Sequence, residues 1–113
     1  IVDARAAARF RGEAPEPRAG LRGGHMPGAF NLPYNELLDP ATGTMLPADK
    51  LAARIAASGI DPSKQVTASC GSGVSACVSA LALYLTGSPE AAVYDGSWTE
   101  WGGRADTPIV TGP

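Results

Sequence analysis

The chain has no stretch approaching the about 20 consecutive apolar residues that a membrane-crossing helix needs, so no such helix is expected within these residues. It has little net charge, −2 at neutral pH, so nothing in its balance points to a nucleic-acid partner. It has only two cysteines, Cys70 and Cys77. On one helix that spacing separates them by roughly 10 Å at about 1.5 Å per residue, beyond the about 7 Å between Cα atoms that a disulfide tolerates. No Cys-x-x-Cys pair and no His/Cys cluster is present, so no zinc site is expected, and no other metal or cofactor. Two free thiols favour a reducing compartment, and the expected location is cytoplasmic. There is no initiating methionine: the chain opens directly in Ile1-Val2-Asp3, which reads as the inside of a strand. A native N-terminus further upstream is therefore expected, and the lack of a targeting signal says nothing about the parent protein.

What is present describes a small globular unit. At 113 residues, 44% apolar and 18% charged, residues 1–113 make one domain able to bury a core of its own. The charges are unevenly placed. Five of the nine basic residues (Arg5, Arg9, Arg11, Arg18 and Arg22) fall within the first 22 positions, while the only charged side chains from Gly23 to Asp49 are acidic, apart from His25.

Ile1 to Ala4 reads as a strand end and Arg5 to Phe10 as a short helical turn. Pro15 and Pro17, flanked by glycines, force a loop. Gly24 to Ala29 is a second turn-rich segment, Phe30 to Pro33 a short extended run, and Tyr34 to Leu38 one helical turn. Pro47 and Asp49 open a helix over 48–57 that Gly59 stops. Gln65 to Ser69 is a strand. The run from Ala76 to Leu85 is a helix whose Val74, Val78, Leu81, Ala82 and Leu85 stripe is expected to face the sheet. Gly87 ends it, Ala91 to Tyr94 is a third apolar strand, and Ser97 is a candidate N-cap for a helix containing Trp98 and Trp101. The tail after Gly103 reads as irregular. Strands alternating with helices define an α/β domain with a largely parallel sheet, whose ligands sit beyond the carboxyl ends of the strands. Asp3, Cys70 and Asp95 stand at such ends and are candidates to line one crevice.

The loop Cys70-Gly71-Ser72-Gly73-Val74-Ser75 joins the strand to the helix. Two glycines let several N–H groups converge on one spot, and the helix adds its unpaired N–H groups and positive dipole end. A thiol there carries thiolate near neutral pH, and the same cradle stabilises a sulfur, phosphate or sulfate anion. A buried, inert thiol after a strand is the competing reading.

Cys70-Gly71-Ser72-Gly73-Val74-Ser75-Ala76-Cys77 resembles the active loop of 3-mercaptopyruvate sulfurtransferases, members of the rhodanese superfamily. Val2 to Arg5, Arg9-Phe10, Pro15 to Arg18, Gly24 to Ala29 and Tyr94 to Trp98 are similar to segments of the tandem-domain enzymes, in the same order. The resemblance implies a three-layer α/β/α rhodanese-like fold. It implies the second, catalytic domain of a two-domain enzyme, lacking its first strand and helix and its N-terminal twin. It further implies that Cys70 takes sulfur from 3-mercaptopyruvate as a persulfide and passes it to cyanide, a thiol or thioredoxin. Cys70 and Ser72 are then catalytic, and Arg9 and Arg18 bind the carboxylate and ketone of the substrate. Gly71, Gly73, Val74 and Ser75 form the cradle around it. Arg5 and Asp3 are expected to be a structural pair, His25 a structural residue of its turn, Trp98 and Trp101 packing residues, and Cys77 buried and inert.

Three other readings remain to be separated. Thiosulfate sulfurtransferases typically carry basic residues where this chain has Gly71 and Ser72, which favours mercaptopyruvate over the thiosulfate dianion. A phosphatase of the superfamily needs Cys-x5-Arg, and Ala76 occupies the arginine position. A non-catalytic binding domain is the third, and the intact cysteine loop argues against it.

Overall fold

Four short apolar runs form strands: Val2–Asp3 (β1), Phe30–Asn31 (β2), Val66–Ser69 (β3) and Ala91–Val93 (β4). In the computed structural model, which describes residues 1–88 and 90–113, they form one parallel sheet in the order β2-β1-β3-β4. Val2 lies opposite both Phe30 and Ala68, and Val66 opposite Ala91. The helices are α1 (Ala7–Phe10), α2 (Ala48–Ala57), α3 (Ala76–Leu85) and α4 (Ser97–Trp101), with a 3-10 turn at Tyr34–Leu37. Among the described residues, no helix is long and apolar enough to cross a membrane.

The chain leaves β1 toward one edge of the sheet and leaves β2 and β3 toward the other. Right-handed crossovers therefore put α2 and α3 on one face and α1 on the opposite face. The strand order reverses between β1 and β3, the place where such sheets open a crevice at their carboxyl ends. Arg5 and Cys70 follow those two strands. Side chains alternate along β3: Val66 and Ala68 join Leu51, Ile55 and Leu83 in the main core. Thr67 and Ser69 face the other way, toward Met26, Tyr94 and Trp101.

The buried face of α3 keeps Ala82 and the half-buried Val78 of the expected stripe and replaces the rest. Ala76, Ser79, Ala82 and Leu83 are buried, whereas Val74 is 76%, Leu81 49% and Leu85 48% exposed. This helix is apolar nearly all round, so spacing alone cannot select its inner side. Its small residues Ala76, Ser79 and Ala82 turn inward. Cys77 is exposed rather than buried, because it lies next to Ala76 on the turned-out side.

The second face has its own packing. The rings of Phe10 and His25 stack with centroids 3.7 Å apart, and His25 Nδ1 donates to the Phe10 carbonyl at 2.8 Å. The buried Trp98 indole N–H donates to the Arg22 carbonyl at 2.8 Å. The tail is more ordered than its composition promises. Val110 exchanges backbone hydrogen bonds with His25 at 2.8 and 3.0 Å, and Arg22 donates to the carbonyls of Trp101, Gly102 and Thr107.

Candidate active site

β3 ends at Ser69 and delivers Cys70 into the reversal point of the sheet. The loop then turns sharply enough for Gly73 to donate its N–H back to Cys70 Sγ at 3.0 Å. Gly73 adopts φ +94°, and a Cβ there would lie 2.7 Å from the Asp95 carbonyl oxygen. Both the left-handed backbone and the close approach require glycine. Cys70 itself is 1% exposed. Burial pushes its thiol pKa up. The Ser75 hydroxyl and the N–H groups of Ala76, Gly73 and Ser72 act the other way and prevail, leaving it below the ordinary thiol value.

The loop is gripped by the segment opening α4. Ser97 Oγ accepts from the Cys70 N–H at 3.1 Å and donates to the Tyr94 carbonyl at 2.7 Å. The Trp98 N–H donates to the Cys70 carbonyl, and the Thr99 N–H to that of Gly71, each at 2.9 Å. Ser97 is therefore a bracing residue within α4 rather than a side-chain cap, and it holds φ +47° to be one. A non-glycine residue in that region stores strain that the surroundings must override.

Above the loop opens a cleft of about 310 Å3 lined by Arg9, Glu16, Arg18, Gly71, Ser72 and Ser75, with Thr99 at its rim. Glu16 is held among arginines, its side chain only 1% exposed. It accepts from Arg9 Nε at 3.1 Å and Nη2 at 2.9 Å, with Arg5 Nη1 3.4 Å away. This contact, against the opposing effect of burial, raises the Arg9 pKa further. Arg9 also lies close to the loop: a Cβ on Gly71 would meet its Nη2 at 2.9 Å. Arg18 Nη1 donates to Thr99 Oγ1 at 2.6 Å. Arg5 is buried, bonded to Asp3 at 2.7 Å and to the Gly24 carbonyl, and stacked 4.3 Å over Trp98.

Arg9, Arg18, Gly71, Ser72 and Ser75 thus meet at one cleft over Cys70, with Gly73 beneath. Val74 stands apart, its side chain in solvent and outside the cleft lining. Asp3 and Asp95 do not join them: Asp3 is absorbed by Arg5, and Asp95 is an exposed turn residue whose carbonyl abuts Gly73. Sequence reasoning missed Glu16, Ser97 and Thr99. Glu16 left one signal, an acidic residue locked between Pro15 and Pro17 inside the basic segment. Thr99 left none. Among the described residues, no group of three or more His, Cys, Asp or Glu side chains could hold a metal ion.

A parallel sheet with a cysteine loop at its reversal point, beside a cleft lined by arginines, is the arrangement of a rhodanese. The chain belongs to that family: the rhodanese-like domain model matches residues 1–104. It is 49% identical over 109 residues to the 3-mercaptopyruvate sulfurtransferase of Escherichia coli, covering 96% of this chain and 38% of the relative. It is 46% identical over 108 residues to the mitochondrial thiosulfate/3-mercaptopyruvate sulfurtransferase 1 of Arabidopsis thaliana, covering 96% of this chain and 28% of the relative. The crystal structure of the Tum1 protein from Saccharomyces cerevisiae superposes with TM-score 0.86 at 41% identity, covering 97% of this chain and 38% of that one. The chain therefore spans roughly a third of the length of the relatives it matches.

Proposed function

We propose that this chain is the catalytic domain of a sulfurtransferase that moves the sulfur of 3-mercaptopyruvate through a Cys70 persulfide to a thiophilic acceptor. The observation that carries this is the Cys70 nest, with the Gly73 N–H 3.0 Å from Sγ and the thiol pKa lowered. Cys70 thiolate attacks the donor sulfur, the carbon–sulfur bond breaks, and the electron pair leaves on the methylene carbon. That carbon takes the donor's thiol proton, giving pyruvate and the Cys70 persulfide anion. Cyanide or an acceptor thiolate then attacks the outer sulfur and Cys70 leaves as thiolate. Converging N–H groups favour both anionic forms of the sulfur. Arg9 and Arg18 offer planar donors for the carboxylate and ketone, and Ser72 is placed to position the donor.

A second reading, thiosulfate as donor, is favoured by the paired name of the Arabidopsis relative. Electrostatics weigh against it here. The loop carries no basic side chain, and Glu16 already takes two donors from Arg9. A monoanion suits that cleft better than a dianion.

The short span of the match supports a further part of the reading. The chain acts beside an N-terminal rhodanese twin in a longer protein, with a thiol or thioredoxin as acceptor in a reducing, cytoplasmic setting. Loading experiments test the core of it. Mixed with 3-mercaptopyruvate, the chain is expected to gain one sulfur atom on the Cys70 peptide by mass spectrometry, faster than with thiosulfate. Faster loading by thiosulfate reverses the donor assignment, and loading by neither overturns the activity.

A further inference from the structure

Two cleft features, the guanidinium of Arg18 and the amides around Cys70, meet at a single hydroxyl. Thr99 Oγ1 receives the Arg18 Nη1 proton at 2.6 Å and gives its own proton to the Gly71 carbonyl at 2.7 Å. The roles are forced: guanidinium only donates, a carbonyl only accepts, and a hydroxyl has one proton to give. The described peptide bonds are all trans, so the Gly71 carbonyl and the Ser72 N–H of the same unit point in opposite directions. Pulling the carbonyl toward Thr99 turns that N–H toward the interior of the loop.

We propose that Thr99 is a positioning residue whose hydroxyl couples Arg18 to the Cys70 nest, holding the Gly71–Ser72 peptide with its N–H toward the sulfur. The positive charge of Arg18 polarises the hydroxyl, the hydroxyl polarises the Gly71 peptide, and the Ser72 N–H becomes a stronger donor. The Thr99 N–H also binds the Gly71 carbonyl, at 2.9 Å, so the loop keeps its shape without the hydroxyl and loses only the link. Arg18 keeps Nη2 and Nε for a carboxylate, so donor binding and thiolate stabilisation share one group. This inference rests on the reading of Cys70 as nucleophile and names how its reactivity is tied to donor recognition.

Arg9 from α1 is coupled electrostatically to Cys70, and Glu16 from the proline loop and Asp3 at the end of β1 are coupled to Arg9; none of the three makes a hydrogen bond to Thr99. Their effect on the thiol stays constant while Thr99 is varied.

The test is the pH dependence of Cys70 alkylation by iodoacetamide, followed by peptide mapping to separate it from Cys77. It requires no sulfur transfer, so it decides this point whether or not the donor assignment stands. Thr99→Val is expected to lower the Cys70 rate at pH 7 about threefold and raise the midpoint by about half a pH unit, the scale of one weakened hydrogen bond. Thr99→Ser is expected to restore both. Arg18→Gln is expected to raise the midpoint similarly, and the double variant to add little to either single one. An unmoved midpoint in Thr99→Val, or full additivity in the double variant, overturns the coupling. Should Thr99→Val fail to fold, an unmoved midpoint in Arg18→Gln, at an exposed position, overturns it equally.

Discussion

Glu16 grips Arg9 with both carboxylate oxygens, and the two differ sharply in exposure: 1% for the Glu16 side chain, 27% for that of Arg9. The acid is a buried bracket and the guanidinium its open end. Glu16→Gln keeps the shape and removes the charge that fixes the fork. The expected outcome is a KM for 3-mercaptopyruvate raised several-fold with kcat less affected, and a stability loss of about 1–3 kcal/mol in urea. An unchanged KM would detach Arg9 from donor recognition.

The Cys70 thiol lies below its ordinary value, so its alkylation is expected to reach half-maximum below the about pH 8.5 of a free cysteine. The linkage has a definite sign. Folding favours the thiolate, so this stabilisation is complete above the unfolded thiol pKa and disappears as pH falls through the lowered one. A midpoint at or above the free value contradicts the nest.

Gly73→Ala puts a methyl group 2.7 Å from the Asp95 carbonyl at φ +94°. Relief requires the loop to lift, which withdraws the N–H from Sγ. A loss of about 2–4 kcal/mol is expected, with slower Cys70 alkylation at pH 7. Thermal melting and the alkylation rate together check it: loss of stability alone shows that the amide does not serve the sulfur.

Ser97 allows an ordering. Ser97→Ala removes the acceptor of the buried Cys70 N–H yet keeps the strained φ of +47°, and should lose about 1–3 kcal/mol. Ser97→Gly loses the same bond but relaxes the backbone, and is expected to melt above the alanine variant. The reverse order would mean the strain is negligible.

The strand–loop–helix around Cys70 was legible because glycines, a thiol and a flanking apolar strand each restrict the backbone in the same sense. The Asp3–Arg5 pair was legible for a related reason, since a charge at a buried strand end needs a partner. The inner face of α3 was not. An amphipathic helix advertises its buried side by contrast, and the run ACVSALALYL has almost none, so packing of Ala76, Ser79 and Ala82 decided it. The same rotation exposed Cys77. Ser97 and Thr99 escaped because each acts across a long stretch of chain; Ser97 reaches Cys70 over 27 positions. Local pattern carries no record of such a meeting.

That separation has a chemical meaning. The bonds from Ser97, Trp98 and Thr99 to the Cys70 loop exist only after β4 has docked beside β3 and α4 has turned back over it. Contacts so far apart in sequence are absent from the unfolded chain. A nascent or partly unfolded molecule therefore carries an ordinary, sluggish cysteine. Chemical reactivity is therefore a property of the folded molecule and not of the cysteine alone.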